Sequence, residues 1–240
     1  MSLRTLSQNK LSSQVYNKRQ VQPTPYGSVS FDGSGDYITI DDNAAMELGG
    51  SDYTIEMWLK TTTSALYTTF FGRDNNNFTG NGDLILALNW GSANGSTAWY
   101  AEYGAINAII TSSSSLRNGS WHHLAVVRYG NTHTIYIDGT SAATGTFTGS
   151  LDDGTGPWAI GTDLYNPGRD FAGNISNLRV VKSAVYTSNF TPPSSPLTAI
   201  ANTALLTCQL STTTTTDNSG NGLTLTAYGN VTASSDSPFA

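Results

Sequence analysis

Three glutamates, Glu47, Glu56 and Glu102, three histidines and one cysteine are the residues whose types invite a chemical reading of this 240-residue chain. Glycoside hydrolysis needs two carboxyl groups, roughly 5–5.5 Å apart for retention or roughly 6.5–9.5 Å for inversion. On a strand, a retaining pair calls for acids at i and i+2 or i+4, on one face. The glutamates are too scattered for that. Asp152 and Asp153 are neighbours, so a strand would point them to opposite faces, and a turn is the expected setting. His122 and His123 are likewise adjacent, and His133 falls near a hairpin. No further histidine or cysteine stands at zinc-ligand spacing from them. Cys208 lies inside the apolar run Ala204–Leu210 and reads as a buried, inert thiol. No phosphate-binding loop, nucleophile elbow or dinucleotide fingerprint is present. These observations predict a protein without a catalytic centre or a metal site.

Binding needs different residues: aromatic faces flanked by amides and guanidinium groups on loops. The best candidates for a carbohydrate platform are Asn89, Trp90, Asn94, Trp99, Tyr165, Asn166 and Arg169. Trp58, Trp121 and Trp158 fall within strand-like runs and are expected in the core.

The elements that must position these residues are short strands. Trp121–Gly139 reads as two strands joined by a polar hairpin. Leu124 and Val126 share one face, Ala125 and Val127 the other, and Ile135 and Ile137 alternate with Thr134, Tyr136 and Asp138. Gly130-Asn131 and Asp138-Gly139 suit turns that need positive φ. Tyr53, Ile55, Met57 and Leu59 alternate with polar neighbours. Val29–Phe31, Tyr37–Ile40, Ala65–Phe71, Asp83–Trp90, Ala98–Tyr103, Ala105–Ser112, Trp158–Ile160, Ile175–Val181, Ala204–Leu210 and Leu223–Tyr228 complete the strand-like runs. Asn43 is placed to cap a short turn through Ala44–Met46. Thr140–Gly149 is a run of small residues, Ala184–Tyr186 suits one helical turn, and Pro192, Pro193 and Pro196 predict an extended wrap. The expected fold is all-β, a two-sheet antiparallel jelly-roll sandwich with an extended N-terminal arm. The division is 1–26 for the arm and 27–240 for the domain.

Four stretches carry a family resemblance: Trp121–Gly139 (WHHLAVVRYGNTHTIYIDG), Ser28–Ile40, Tyr53–Lys60 and Phe171–Pro193. Together they resemble laminin-G-like jelly rolls of the concanavalin A-like lectin/glucanase superfamily, over roughly residues 27–239. The glucanase relatives' E-x-D-x-x-E arrangement is absent here. The turn Asp217–Gly222 and the strand after it, which open many family members, close this chain, implying a shifted start point with the chain ends close together. The resemblance also raises a structural calcium ion, for which Asp32–Asp36, Arg73–Asn77 and Asp163–Asp170 are the oxygen-rich loops. None has a defining spacing, so turn acids are the expected role and no cofactor is required.

Charge is divided unevenly. Arg4, Lys10, Lys18 and Arg19 give the first 31 residues a net +4, whereas the remainder holds seven of the 11 basic residues and all 17 acids, a net −10. An acidic body repels nucleic acid. A basic arm on such a body is expected to dock on another chain through Arg4, Lys10, Tyr16, Lys18 and Arg19. No stretch is apolar enough for a signal peptide or a membrane span, so no membrane insertion is expected. Six Asn-x-Ser/Thr sites, at Asn77, Asn94, Asn118, Asn174, Asn189 and Asn230, are read as compositional. The resemblance is nearest to versions encoded by bacteriophages. It implies a virion component (decoration, fibre or tail) whose partners are other virion proteins or copies of itself and, through the platform, host-surface glycans. A free-standing lectin module is the alternative.

Overall fold

The structure is a computed structural model, and it describes residues 25–74, 83–92, 94–103, 106–112, 115–151 and 155–239. Among the described residues, fifteen strands form two antiparallel sheets. In chain order they are β1 (Ser28–Asp32), β2 (Tyr37–Ile40), β3 (Tyr53–Lys60), β4 (Thr68–Arg73), β5 (Asp83–Leu88), β6 (Thr97–Tyr103), β7 (Ile106–Thr111) and β8 (Trp121–Tyr129). They continue as β9 (Thr132–Ile137), β10 (Thr140–Thr146), β11 (Trp158–Ile160), β12 (Ala172–Val181), β13 (Thr203–Thr207), β14 (Leu225–Tyr228) and β15 (Thr232–Ser234). The first sheet runs β10-β9-β8-β3-β12-β1-β15, with β13 also on β12; the second runs β14-β2-β11-β4-β5-β6-β7.

Alternation sets the sandwich. On β3, Tyr53, Ile55, Met57 and Leu59 are fully buried in the core. Each such side chain contributes about 1.5–3 kcal/mol relative to an exposed one. Register places Met57 opposite Leu124 and Ile55 opposite Val126, whose other neighbours are Ile137 and Ile135. From the second sheet come Leu84, Leu86 and Leu88 of β5, Trp99 of β6 and Trp158 of β11, with Phe71 stacked on Trp158 at 5.2 Å. Cys208 is buried there, and burial pushes its thiol up to about 12, as expected of an inert cysteine.

The opening strands β1 and β2 are consecutive but belong to different sheets, so the Asp32–Asp36 turn carries the chain across the sandwich. Ser28–Ser30 pair with Thr232–Ser234, which brings the two ends of the domain side by side. Pro25 and Tyr26, assigned to the arm by sequence, are bonded to the body: Ser211 N–H donates to Pro25 O at 2.8 Å, and Tyr26 bridges Leu210. The arm residues Arg4, Lys10, Tyr16, Lys18 and Arg19 lie outside the described residues.

One unassigned run becomes a strand and one local expectation is corrected. The small-residue run after Gly139 is a strand, β10, because Asp138 (φ +49) and Gly139 (φ +76) form the predicted turn and return the chain onto β9. A Cβ at Gly139 would collide with the Phe190 carbonyl, so this turn needs glycine for space as well as for φ. Ala184–Tyr186 is not helical. Val185 N–H donates to Thr54 Oγ1 (2.9 Å) and Tyr186 Oη to Glu56 Oε2 (2.9 Å), so docking on β3 wins over local helix formation.

That docking begins a strap over the outer face of the first sheet. Tyr186 and Phe190 stack at 3.6 Å and pack on Ala125, Val127 and Tyr136. The C-terminal segment covers more of the same face. Asp236 accepts from Lys60 Nζ (2.6 Å) and Trp121 Nε1 (3.0 Å), and Phe239 lies edge-on to Trp58 at 5.7 Å. Trp58 and Trp121, expected in the core, are instead half-buried beneath this tail.

Candidate carbohydrate-binding site

On the second sheet, Tyr37, Thr39, Gly72, Ile85, Ala87, Ala159 and Tyr100 alternate with core residues and so face outward. Ile85, Ala87 and Tyr100 form a small apolar cluster against which Trp90 packs. Trp90 stacks on Tyr100 (5.6 Å, 13°) and meets Tyr67 edge-on (5.3 Å). The Arg169 guanidinium lies 5.1 Å from the Tyr67 ring centre and 6.0 Å from that of Trp90. Arg169 thus caps an aromatic group, a geometry in which cation and π-face attract.

Backbone geometry holds this group in place. Tyr67 and Asn89 both adopt left-handed backbone (φ +55 and +58) and are joined by Tyr67 N–H to Asn89 O, 3.2 Å. Left-handed backbone at a tyrosine costs about 1–3 kcal/mol and persists only where its surroundings enforce it. Here the Asn89 side chain does so: its Nδ2 donates to Ala65 O (2.7 Å) and its Oδ1 accepts from Gly95 N–H (2.7 Å).

The Thr162–Asp170 loop forms the polar side. Asp163 Oδ2 accepts from Arg169 Nη1 (2.8 Å) and from Asn166 Nδ2 (2.9 Å), and the same amide reaches Asp74 Oδ2 at 3.1 Å. Burial, and then the Asp74 carboxylate beside it, raise the Asp163 carboxyl above the usual carboxylate range, against the pull of Arg169. Tyr165 stands out from this loop at 49% exposure.

The structure therefore sorts the sequence candidates. Trp90, Tyr165, Asn166 and Arg169 are gathered on or beside one loop. Asn94 sits in the Gly91–Gly95 turn, where its Oδ1 accepts from Ser96 N–H (3.0 Å). Trp99 and Asn89 are corrections, both at 0% exposure. Trp99 pairs with Leu86 on the inward side of β6, donates Nε1–H to Tyr53 Oη (3.0 Å) and stacks on His133. Asn89 spends its amide on the loops around it. Sequence reasoning missed Tyr67 and Tyr100. The alternation of β6 around Trp99 could have found Tyr100, but nothing local marks Tyr67.

Acid–base chemistry finds no accessible pair among the described carboxylates considered from sequence. Glu56 is fully buried on the outer side of β3. Arg179 donates to its Oε1 (Nε 2.9 Å, Nη2 2.6 Å), while Tyr186 Oη and His123 Nε2 (3.2 Å) meet Oε2. Burial opposes its charge, but His123 and Arg179 together hold the carboxyl below its ordinary value. Glu47 Oε1 pairs with Arg73 at 2.9 Å. The Glu102 side chain and Asp152-Asp153 lie outside the described residues. His122 lies 2.7 Å from Asp138 Oδ2, a bond that braces the Asp138-Gly139 turn.

In two of the loops raised for calcium, Asp32–Asp36 and Asp163–Asp170, the carboxylates are bonded within the protein. Asp32 Oδ1 accepts from Ser34 N–H (2.8 Å), and the Asp36 oxygens accept from Asp32 N–H (2.9 Å) and Asn230 N–H. At Asp163 a guanidinium already stands where a cation would. No group of three or more His, Cys, Asp or Glu side chains converges among the described residues. Asn75–Asn77 lie outside them.

Comparison with known proteins agrees with the fold. No curated protein matches. A candidate carbohydrate-binding protein from Bacteroides ovatus superposes with a TM-score of 0.64 at 18% identity, over 90% of this chain; the chain spans 62% of that protein's length. Domain 4 of AbnA, a GH43 extracellular arabinanase from Geobacillus stearothermophilus, solved with arabinotriose, gives 0.54 at 21% identity, over 66% of this chain and 72% of that one. The CBM40 module of the Ruminococcus gnavus IT-sialidase, bound to α2,3-sialyllactose, gives 0.52 at 12% identity, over 67% and 92%. The family profile described as the concanavalin A-like lectin/glucanases superfamily, of laminin-G type, matches residues 32–188, and with the two-sheet fold this places the chain in that family.

Proposed function

We propose that this chain is a non-catalytic carbohydrate-binding module, whose glycan site is the outer face of the second sheet around Trp90, Tyr67, Tyr165, Asn166 and Arg169. The observation that carries the reading is the joining of an aromatic group to a loop that offers Tyr165, an amide and a guanidinium. Sugars need such a mixture, an apolar surface for their C–H faces and directed polar groups for their hydroxyls. The buried, fully bonded Glu56 supports the non-catalytic reading. Solved relatives described as carbohydrate-binding, on the same architecture, support the ligand class. A glycan array with the folded protein tests it. At least one glycan is expected to bind, and Tyr165→Ala and Trp90→Ala each to weaken it. An array with no binder, or binding indifferent to both substitutions, would overturn it.

The setting we propose is the surface of a virus particle, with the module docked through its N-terminal residues on other virion proteins or copies of itself. This rests on the +4 segment ahead of a −10 body. Detection of the protein in purified particles would support it; its recovery only as a free secreted lectin would refute it.

A further inference from the structure

A cavity opens on the same outer face, beyond the Thr162–Asp170 loop from Trp90. It measures about 220 Å³ and lies between Tyr37 of β2 and the loop residues Leu164 and Pro167, with Gly35, Asp163 and Asp170 also lining it. The Tyr37 ring is backed by Tyr228 of β14, stacked at 4.6 Å and 13°. The family match ends at residue 188, so the strand that supports this wall lies outside the shared family segment.

Two segments line the cavity, Gly35–Tyr37 and the Thr162–Asp170 loop, and bonded carboxylates tie them to each other and to a third, the β14–β15 hairpin. Asp170 Oδ1 accepts from Thr162 Oγ1 (2.6 Å), and its Oδ2 accepts from Gly35 N–H (2.9 Å), joining the loop to the β1–β2 turn. Asp36, at 1% exposure, accepts from Asn230 N–H and so joins that turn to the β14–β15 hairpin. The walls are thus fixed before any ligand arrives, which lowers the ordering cost of binding.

The lining defines what fits. Tyr37 gives an aromatic wall and Leu164 and Pro167 an aliphatic one. Each Asp170 oxygen retains a lone pair for a hydroxyl donor. Asp163 is already met by Arg169, whereas among the described residues Asp170 bonds the neutral donors Thr162 and Gly35. No lysine or arginine lines the cavity among the described residues. An anionic sugar would therefore meet uncompensated like charge. We propose that this cavity is a second glycan site, which takes a neutral, hydroxyl-rich pyranose ring against Tyr37 and excludes sialylated or uronic sugars. It shares a loop with the Trp90 site but none of its aromatic residues, so different substitutions report on each.

Saturation-transfer NMR on the full chain tests the proposal, with methyl glycosides of glucose, galactose and mannose and with sialyllactose as the probes. At least one neutral glycoside should receive saturation. Tyr37→Leu should weaken it about 10-fold, as expected for the loss of one aromatic contact of roughly 1.4 kcal/mol. Tyr37→Phe, which keeps the ring, should leave it unchanged, and the same dependence on Tyr37 should appear in a Trp90→Ala background, where the first site is weakened. In that background Leu164→Trp, which fills the cavity without altering the sheet, should abolish the signal even if Tyr37→Leu fails to fold. Saturation of no neutral glycoside, a signal in the Trp90→Ala background that survives Leu164→Trp, or a Tyr37-dependent signal from sialyllactose would each overturn the proposal. Loss in Trp90→Ala with retention in Tyr37→Leu would refute this second site while sparing the first.

Discussion

His133 offers the sharpest test of the packing. It is fully buried between Trp99 (ring centres 4.3 Å), Tyr53 (5.8 Å) and Phe147 (5.9 Å). Burial and the nearby Arg128 guanidinium push its imidazole down to about 3, against the opposing pull of the Asn131 backbone. In the unfolded chain the same group titrates near 6.5. The depressed folded value means that the contribution to stability is fully present above pH 6.5. It is lost as pH falls towards 3, because only the unfolded chain then gains the proton. The slope is about 1.4 kcal/mol per pH unit, so about 2–3 kcal/mol is lost by roughly pH 4.5. His133→Phe keeps the aromatic packing and removes the titration. Urea unfolding, followed by tryptophan fluorescence near neutral pH and again near pH 4.5, compares the two proteins. Comparing differences cancels the carboxylates common to both. The wild type should lose about 2–3 kcal/mol more than the variant over that interval. Equal losses would show that His133 is hydrated or charged in the folded state, and the core around Trp99 would have to be redrawn.

Other outcomes follow from the same geometry. Glu56→Ala leaves Arg179 and His123 buried without their partner and should cost about 3–5 kcal/mol in urea unfolding. Glu56→Gln, checked on a glycan panel, should show no hydrolysis lost, since no hydrolysis is expected of the parent. Because the Asp36 and Asp163 oxygens are already bonded, calcium or a chelator should leave the thermal midpoint unchanged; a clear upward shift with calcium would place an ion in one of the loops. Deleting residues 1–24 should leave the near-ultraviolet circular dichroism of the body intact and reduce association in sedimentation experiments. Unchanged association would refute docking by the basic segment.

The sandwich was legible because burial on one face imposes a period of two that the sequence displays openly, as in Tyr53–Lys60 and Leu124–Val127. Turn chemistry was equally plain at Asp138-Gly139. Strand β10 was hidden: its threonines, alanines and glycine give no alternation, and it is held by its turn and by the ladder to β9. The site was only partly legible. Trp90 and Trp99 look alike in sequence, but the left-handed Asn89 ends β5 just before Trp90 and turns it out of the ladder, while the parity of β6 turns Trp99 inward. Trp58 and Trp121 fitted strands, yet what covers them is the C-terminal segment more than 100 residues away in the chain, which no local pattern announces. Tyr67 joins the site through a long-range backbone bond to Asn89, a relation set by tertiary packing alone.

The tryptophan indole N–H resonances report on both outer faces of the sandwich and on the core at once. On addition of a glycan found to bind, the Trp90 signal should shift in a two-dimensional ¹⁵N spectrum, while those of the buried Trp99 and Trp158 and of the tail-covered Trp58 and Trp121 stay in place. Movement of the Trp58 and Trp121 signals with a still Trp90 would contradict the proposed site, placing the ligand on the opposite sheet.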